Sequence, residues 1–179
     1  MAASGFRRRR DGRVVLVLQP DEIAVLQRIA ADVASLVESP PDDDVGARLY
    51  PRAYLDPTAD EAEHDFRELV HDDLMRKRLA ALAAITDAPS AGSGRHGAVE
   101  IVLEPEAEAQ WVAALNDARL VVGTILGVTE EEPGDYKRGD PRFEHGVLYQ
   151  WLSLLQAELV DLLLGDIGEA GAGDDIDLA

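Results

Sequence analysis

The chain has no cysteine among its 179 residues. That excludes disulfides, thiol nucleophiles and thiolate metal sites, and it fits a reducing compartment. Basic residues are scarce: 17 lysines and arginines stand against 35 aspartates and glutamates, a formal net charge of -18. Such a surface repels a phosphate backbone, so autonomous DNA binding through a basic face is not expected. No uncharged apolar run reaches the roughly 18 residues of a membrane span, so no spanning helix and no membrane partner are expected. The apolar stretch Val14–Leu18 is too short to complete a signal peptide, and a cytoplasmic location is the expectation. Familiar signatures are missing too. There is no P-loop, no Gly-x-Gly-x-x-Gly after a strand, no Gly-x-Ser-x-Gly, no His-Glu-x-x-His and no calcium-loop pattern.

What is present is apolar material in quantity. Hydrophobic residues make up 46% of the chain, enough to bury the core of one domain. Charge is unevenly spread. Residues 1–12 form a basic arm carrying Arg7, Arg8, Arg9 and Arg10, read as a solvated segment before a strand. A single helical domain is expected over 13–164. Residues 165–179 are rich in Gly, Asp and Ala, and they read as a disordered acidic tail.

Periodicity supplies the elements of that domain. Arg13–Leu18 is β-rich and apolar throughout, which predicts a strand buried on both faces. Pro20-Asp21-Glu22 opens a helix whose residues Ile23, Leu26, Ala30, Val33 and Val37 share one face, ending near Glu38 before Pro40-Pro41. Pro41–Pro57 reads as a connector that Leu49 and Tyr50 pack onto the core. Thr58-x-x-Glu61 predicts a capping box, with Phe66 central to the buried arc of the helix that follows. A phase slip predicts a break near Asp72-Asp73 and a new helix to Thr86. Ala88–Gly97 is a loop, Ala98–Leu103 a second strand, and Pro105–Leu126 a long helix. Thr129–Gly139 is a charged loop turning at Pro133-Gly134, and a last helix runs from about Pro141 to Leu164. The expected fold is mainly α (α+β): a bundle of about five helices with a small two-stranded β ribbon.

Two groups of residues carry candidate chemistry. Glu61-x-x-His64 and Glu68-x-x-His71 repeat a carboxylate–imidazole spacing that di-iron bundles use, but from two helices rather than one. On a single helix the four residues form a solvated stripe opposite Phe66, so they are weak metal candidates. The second group is Leu115-Asn116-Asp117-Ala118-Arg119-Leu120, which interrupts an apolar run. Arg119 falls about 40° from a buried arc centred on Leu115. A cation there needs a carboxylate from another helix, as a structural ion pair, or else serves as an anion or partner-carboxylate clamp.

The order of these elements resembles one actinobacterial domain-of-unknown-function family whose genes commonly neighbour the ClpS protease adaptor. The residues carrying the resemblance are the Pro-Asp-Glu helix start, Asp72-Asp73-Leu74, Trp111-x-x-x-Leu115-Asn-Asp-x-Arg119-Leu120 and Tyr149-x-Trp151-Leu152. It spans roughly Gly5 to Leu164. The resemblance implies kinship with AosR-like oxidative-stress transcriptional regulators, which act with a sigma factor and sense oxidants through a cysteine pair. This chain has no cysteine, so that thiol switch cannot operate here.

The expectation is a non-enzymatic regulatory or protein-interaction module with no cofactor, acting through a partner in the transcription machinery. Asn116, Asp117, Arg119, Trp111 and Trp151 are its structural or partner-binding candidates. The alternative is a metal- or anion-binding enzyme using the Glu/His stripe or Arg119. A homodimer is expected through the last helix, because its apolar residues point in nearly all directions.

Overall fold

A computed structural model describes residues 4–40, 42–54, 56, 58–91, 94, 97–129 and 136–171, with side chains as far as 165. The chain runs β1 (Gly5–Arg8), β2 (Val14–Leu18), α1 (Pro20–Glu38), α2 (Asp44–Leu49), α3 (Asp60–Thr86), β3 (Val99–Val102), α4 (Pro105–Leu126) and α5 (Phe143–Gly171). The fold is mainly helical, as its periodicity predicts. The sheet has three antiparallel strands in the order β1-β2-β3, not the two of the expected ribbon.

The extra strand comes from the basic arm. Gly5 pairs with Val17 and Arg8 with Val14, and a turn closes the hairpin through Arg9 N–H to Arg13 O at 2.9 Å. Gly12 takes the positive φ of 84° that the turn requires. Phe6 is buried and meets Trp111 edge to face, with centroids 6.1 Å apart. β1 also grips α5. The Phe6 N–H donates to Glu158 Oε2 at 3.0 Å, and Arg8 Nη2 donates to Leu162 O at 2.6 Å. Arg7 and Arg9 both lie against Glu100 on β3, so much of the arm's charge is used within the domain.

β2 is central and buried along its whole length, which explains why it is apolar without alternation. Val14, Leu16 and Leu18 join the main core, whereas Val15 and Val17 form a smaller cluster with Ala98 and Val102 on the other face. α1 keeps its expected span and buries Ile23, Leu26, Ala30, Val33 and Val37. The Glu22 carboxylate accepts from the Gln19 N–H at 2.7 Å and tightens the start of the helix. From the middle of α1, the Gln27 side-chain amide donates to Thr86 O at 3.2 Å and Ala88 O at 2.8 Å, satisfying carbonyls at the end of α3.

α3 corrects the expected break. It is one continuous helix of 27 residues. Asp72 and Asp73 are poor helix formers but not breakers, and Asp73 pairs with Arg76 at 3.0 Å and Lys77 at 2.7 Å along the helix. The phase slip marks a change of surroundings rather than of direction. The second half buries Ala81, Leu82 and Ile85. The first half stands off the core, leaving Phe66 and Leu69 exposed while Glu63 is buried. Phe66 is therefore not the centre of a buried arc. The capping box is absent as well: Ala59 precedes the helix without a side-chain cap, and the Thr58 hydroxyl donates to Asp56 Oδ1 at 2.7 Å. Within the expected connector, α2 is a short helix capped by Asp43, whose carboxylate accepts from Val45 N–H at 2.8 Å.

α5 continues past Leu164 to Gly171, so the first residues of the expected tail are helical. Residues 172–179, the Pro133-Gly134 turn and part of the 88–97 loop lie outside the described residues. By length and composition Phe143–Gly165 could cross a membrane, which qualifies the expectation drawn from charge spacing. Here one face of it packs in the core through Leu152, Leu155 and Leu159, and β1 is bonded along it.

Candidate functional site at the α2 saddle

α2 sits between two clefts, and α4 lines the wider of them. The Leu115–Leu120 string spreads its side chains over three neighbours. Asn116 Oδ1 accepts from Gln156 Nε2 of α5 at 3.4 Å. Asp117 is buried and forms a short, charge-assisted hydrogen bond and ion pair with Arg78 of α3. Arg119 turns toward α2 and lines the wider cleft.

The buried ion pair is therefore Asp117–Arg78, and Arg119 is not the cation it was expected to be. The physical reason is which flank of the buried arc another helix covers. α4 buries Trp111, Ala114, Leu115, Asp117, Ala118, Val121, Val122, Gly123 and Leu126, a set centred about 45° from Leu115, toward Ala118. Asp117 and Arg119 both lie on the flanks of that arc, and α3 closes the Asp117 flank, whereas the Arg119 flank opens into the cleft beside α2 and stays half buried. Burial pushes the Asp117 carboxyl above its ordinary value, and the Arg78 charge and hydrogen bond oppose that push. Arg78 also lies over the Tyr50 ring, 5.8 Å from its centroid. The Tyr50 hydroxyl donates to Val37 O at 3.0 Å, which ties the end of α2 to the end of α1. Burial raises the Tyr50 phenol, with the Arg78 charge acting against it.

The narrower cleft, of about 330 Å³, lies between α2 and the first half of α3. Tyr50, Pro51, Phe66, Val70, His71 and Leu74 form its apolar walls. Glu63 lies behind this wall and anchors Arg67, which lines it. Its carboxylate accepts from Ala53 N–H at 2.9 Å, Tyr54 N–H at 3.1 Å and Arg67 Nε at 2.7 Å, and these donors, Tyr54 first, hold it below its ordinary value against the effect of burial. The Glu/His stripe does not converge. His64 and Glu68 are an exposed pair at 3.4 Å, Glu61 is exposed, and His71 leans on the Tyr50 ring with centroids 4.8 Å apart. Among the described residues no group of three His, Asp or Glu side chains is placed to hold a metal.

The wider cleft, of about 600 Å³, lies between α2 and the α4–α5 side. Arg48 and Arg119 face it with Thr124, Gly127, Val128 and Tyr149. Trp111 is buried in the core and Trp151 is half buried on α5, so the two tryptophans serve packing rather than either cleft. Arg78 and Glu63 were not among the expected site residues, and Tyr50 was expected only to pack the connector onto the core. One signal was available: Arg78 falls within the apolar arc of Met75, Leu79, Leu82 and Ile85, where a cation needs a buried partner.

The polar string thus ties α4 to α3 and α5 and aims one arginine at a cleft. A protein of Mycobacterium tuberculosis (strain ATCC 25618 / H37Rv) named oxidative stress regulator AosR is 31% identical over 191 residues, covering 87% of this chain and 85% of that protein. The protein of the same name in Mycobacterium bovis (strain ATCC BAA-935 / AF2122/97) matches with the same identity and coverage. No solved structure matches the chain. The family described as a domain of unknown function (DUF2017) matches residues 3–163, and the chain belongs to it.

Proposed function

We propose that this chain is a non-enzymatic regulatory module of the oxidative-stress response that works by binding protein partners: a second copy of itself through α5, and a component of the transcription machinery such as a sigma factor. The names of its relatives support the regulatory part. The dispersed Glu/His stripe supports a binding role over metal catalysis. The absence of cysteine means that any response to oxidants reaches this chain through a partner or ligand rather than through its own thiols.

The observation that carries the interaction half is the open face of α5. Leu152, Leu155 and Leu159 face the core, whereas Val147 and Leu154 are 54% and 56% exposed. Val147, the half-buried Trp151 and Leu154 lie within an arc of about 60°. A twofold pairing lets this strip cover itself.

Two measurements test the reading. Light scattering at micromolar concentration should give about twice the 19.4 kDa chain mass, and Leu154→Glu should return it to one chain. In the native host, deletion of the gene should alter the transcript response to peroxide, with restoration by the wild-type chain and not by Leu154→Glu. A monomer at all concentrations removes the dimer, and an unchanged transcript response removes the regulatory role. A second reading, an anion-binding protein using Arg119, is favoured by the opening of that residue into the wider cleft.

A further inference from the structure

We propose that the wider cleft is a binding site for an organic carboxylate: one carboxylate group held between Arg119 and Arg48, with an apolar body laid against the cleft wall. It rests on the second reading above, and the regulatory reading does not depend on it.

The charge pattern is the first argument. In a chain so rich in carboxylates, most described arginines reach one, as Arg7 reaches Glu100, Arg67 reaches Glu63 and Arg142 reaches Asp140. Arg48 and Arg119 have no such partner among the described residues, and both line the same cleft. Asp44 also lines it, yet it forms no ion pair with Arg48, one helical turn away. The Arg119 Nε is shielded from solvent and has no hydrogen-bond partner. An unpartnered donor on a cation is costly to keep, and a carboxylate accepting from the planar guanidinium edge satisfies it with two parallel bonds.

The shape of the cleft supplies the second argument. Its volume falls in the range of small-molecule sites. Pro51, Leu120, Val128 and the Tyr149 ring give it an apolar wall. The ring lies close against α4, because a side chain at Gly123 would come within 3.0 Å of Tyr149 Cε2. Gly127 ends α4 with a φ of 66° and open space where a side chain would be, which keeps the mouth clear. The Thr124 hydroxyl is spent on Leu120 O at 2.8 Å, and the two arginines are the cations of the lining. A bare inorganic anion would leave the wall unused, whereas a carboxylate on a hydrocarbon body fills both halves.

Calorimetry on the full chain tests this with five probes: 3-phenylpropionate, its amide, inorganic phosphate, N-acetyl-Leu-Leu as the free acid, and the amide of that peptide. The expected result is saturable one-site binding of 3-phenylpropionate, at least about tenfold weaker binding of the amide and of phosphate, and a similar loss in Arg119→Gln. Binding of the free-acid peptide but not of 3-phenylpropionate also supports the site and assigns its source to a polypeptide C-terminus. Arg48→Gln, a change on the exposed face of α2, should weaken binding as well, and it keeps the test open where Arg119→Gln fails to fold. No saturable binding of either acid, equal binding of acid and amide, phosphate binding as tightly as the acids, or binding untouched in a folded arginine variant would each overturn the proposal.

Discussion

α4 and α5 are both long and apolar, and they are used in opposite ways. α4 is interrupted by Asn116, Asp117 and Arg119, yet nine of its residues are buried, one of them an aspartate. α5 has a longer list of leucines, yet it sends only one face into the core and leaves Val147, Leu154 and Leu164 more than half exposed. Apolar content therefore does not rank helices by depth. α4 is flanked by α3 on one side and α5 on the other, so even its polar positions are enclosed. α5 is the outer layer, and its second face stays open among the described residues.

The contrast can be broken first at the buried polar position. Asp117→Ala should destabilise the fold by about 3–5 kcal/mol, because it strands Arg78 in a site that is mostly closed to water. A loss under about 1 kcal/mol in urea unfolding would mean that Arg78 finds water instead. Arg119→Ala, a few residues along the same helix, should stay near that smaller figure, since no ion pair is broken.

On α5 the two faces should separate cleanly. Leu155→Ala, at a 1% exposed position, should cost about 2–5 kcal/mol, whereas Leu154→Ala should stay within about 0.5 kcal/mol at concentrations where the chain is monomeric. Equal losses would mean that the outer face is covered within one chain.

Gly5 probes the clamp on α5 from outside. It holds a φ of +136°, and a side chain there would come within 2.5 Å of Glu158 Oε2, the acceptor of the Phe6 N–H. Gly5→Ala should cost about 1–2 kcal/mol through strain and loss of that bond. A melting temperature equal to wild type would show that β1 shifts freely.

The smallest effect is the pH response, where the two carboxylates beside α2 should move in opposite directions. Asp117 has a folded pKa raised by burial, so its contribution is fully present below its ordinary value of 3.8 and is lost as pH rises through the folded value. Glu63 has a folded pKa lowered by its N–H donors, so its contribution is present above its ordinary value of 4.5 and is lost as pH falls through the folded value. Between neutral pH and the acid range, Asp117→Asn should steepen the loss of stability and Glu63→Gln should flatten it. Parallel curves would contradict the assigned environments.

Much of the local structure was legible in the residues. The face of α1 follows from a repeat that only helical spacing satisfies, and its end follows from Pro40. β2 reads as doubly buried because it never alternates. β1 was harder to see, since Phe6 is its one large apolar residue, although Asp11-Gly12 carried a hairpin signal. The halves of α3 looked like two helices because periodicity reports what a helix touches as well as whether it is helical.

What the sequence by itself determined is local and additive: composition that excludes thiol chemistry, spacing that sets helices and strands, and breakers that end them. Which face of α4 is innermost, which cation Asp117 meets, and which side of α5 stays open were decided only by tertiary packing. The physical reason is that burial belongs to a set of neighbours rather than to a residue. Asp117 and Arg119 flank Ala118 at equal angles of about 100° on the α4 wheel, and no term within α4 alone decides which of the two is enclosed. The carboxylate has its ion pair because α3 brings Arg78 to that face. Arg119 faces the cleft because α2 and α5 form its walls.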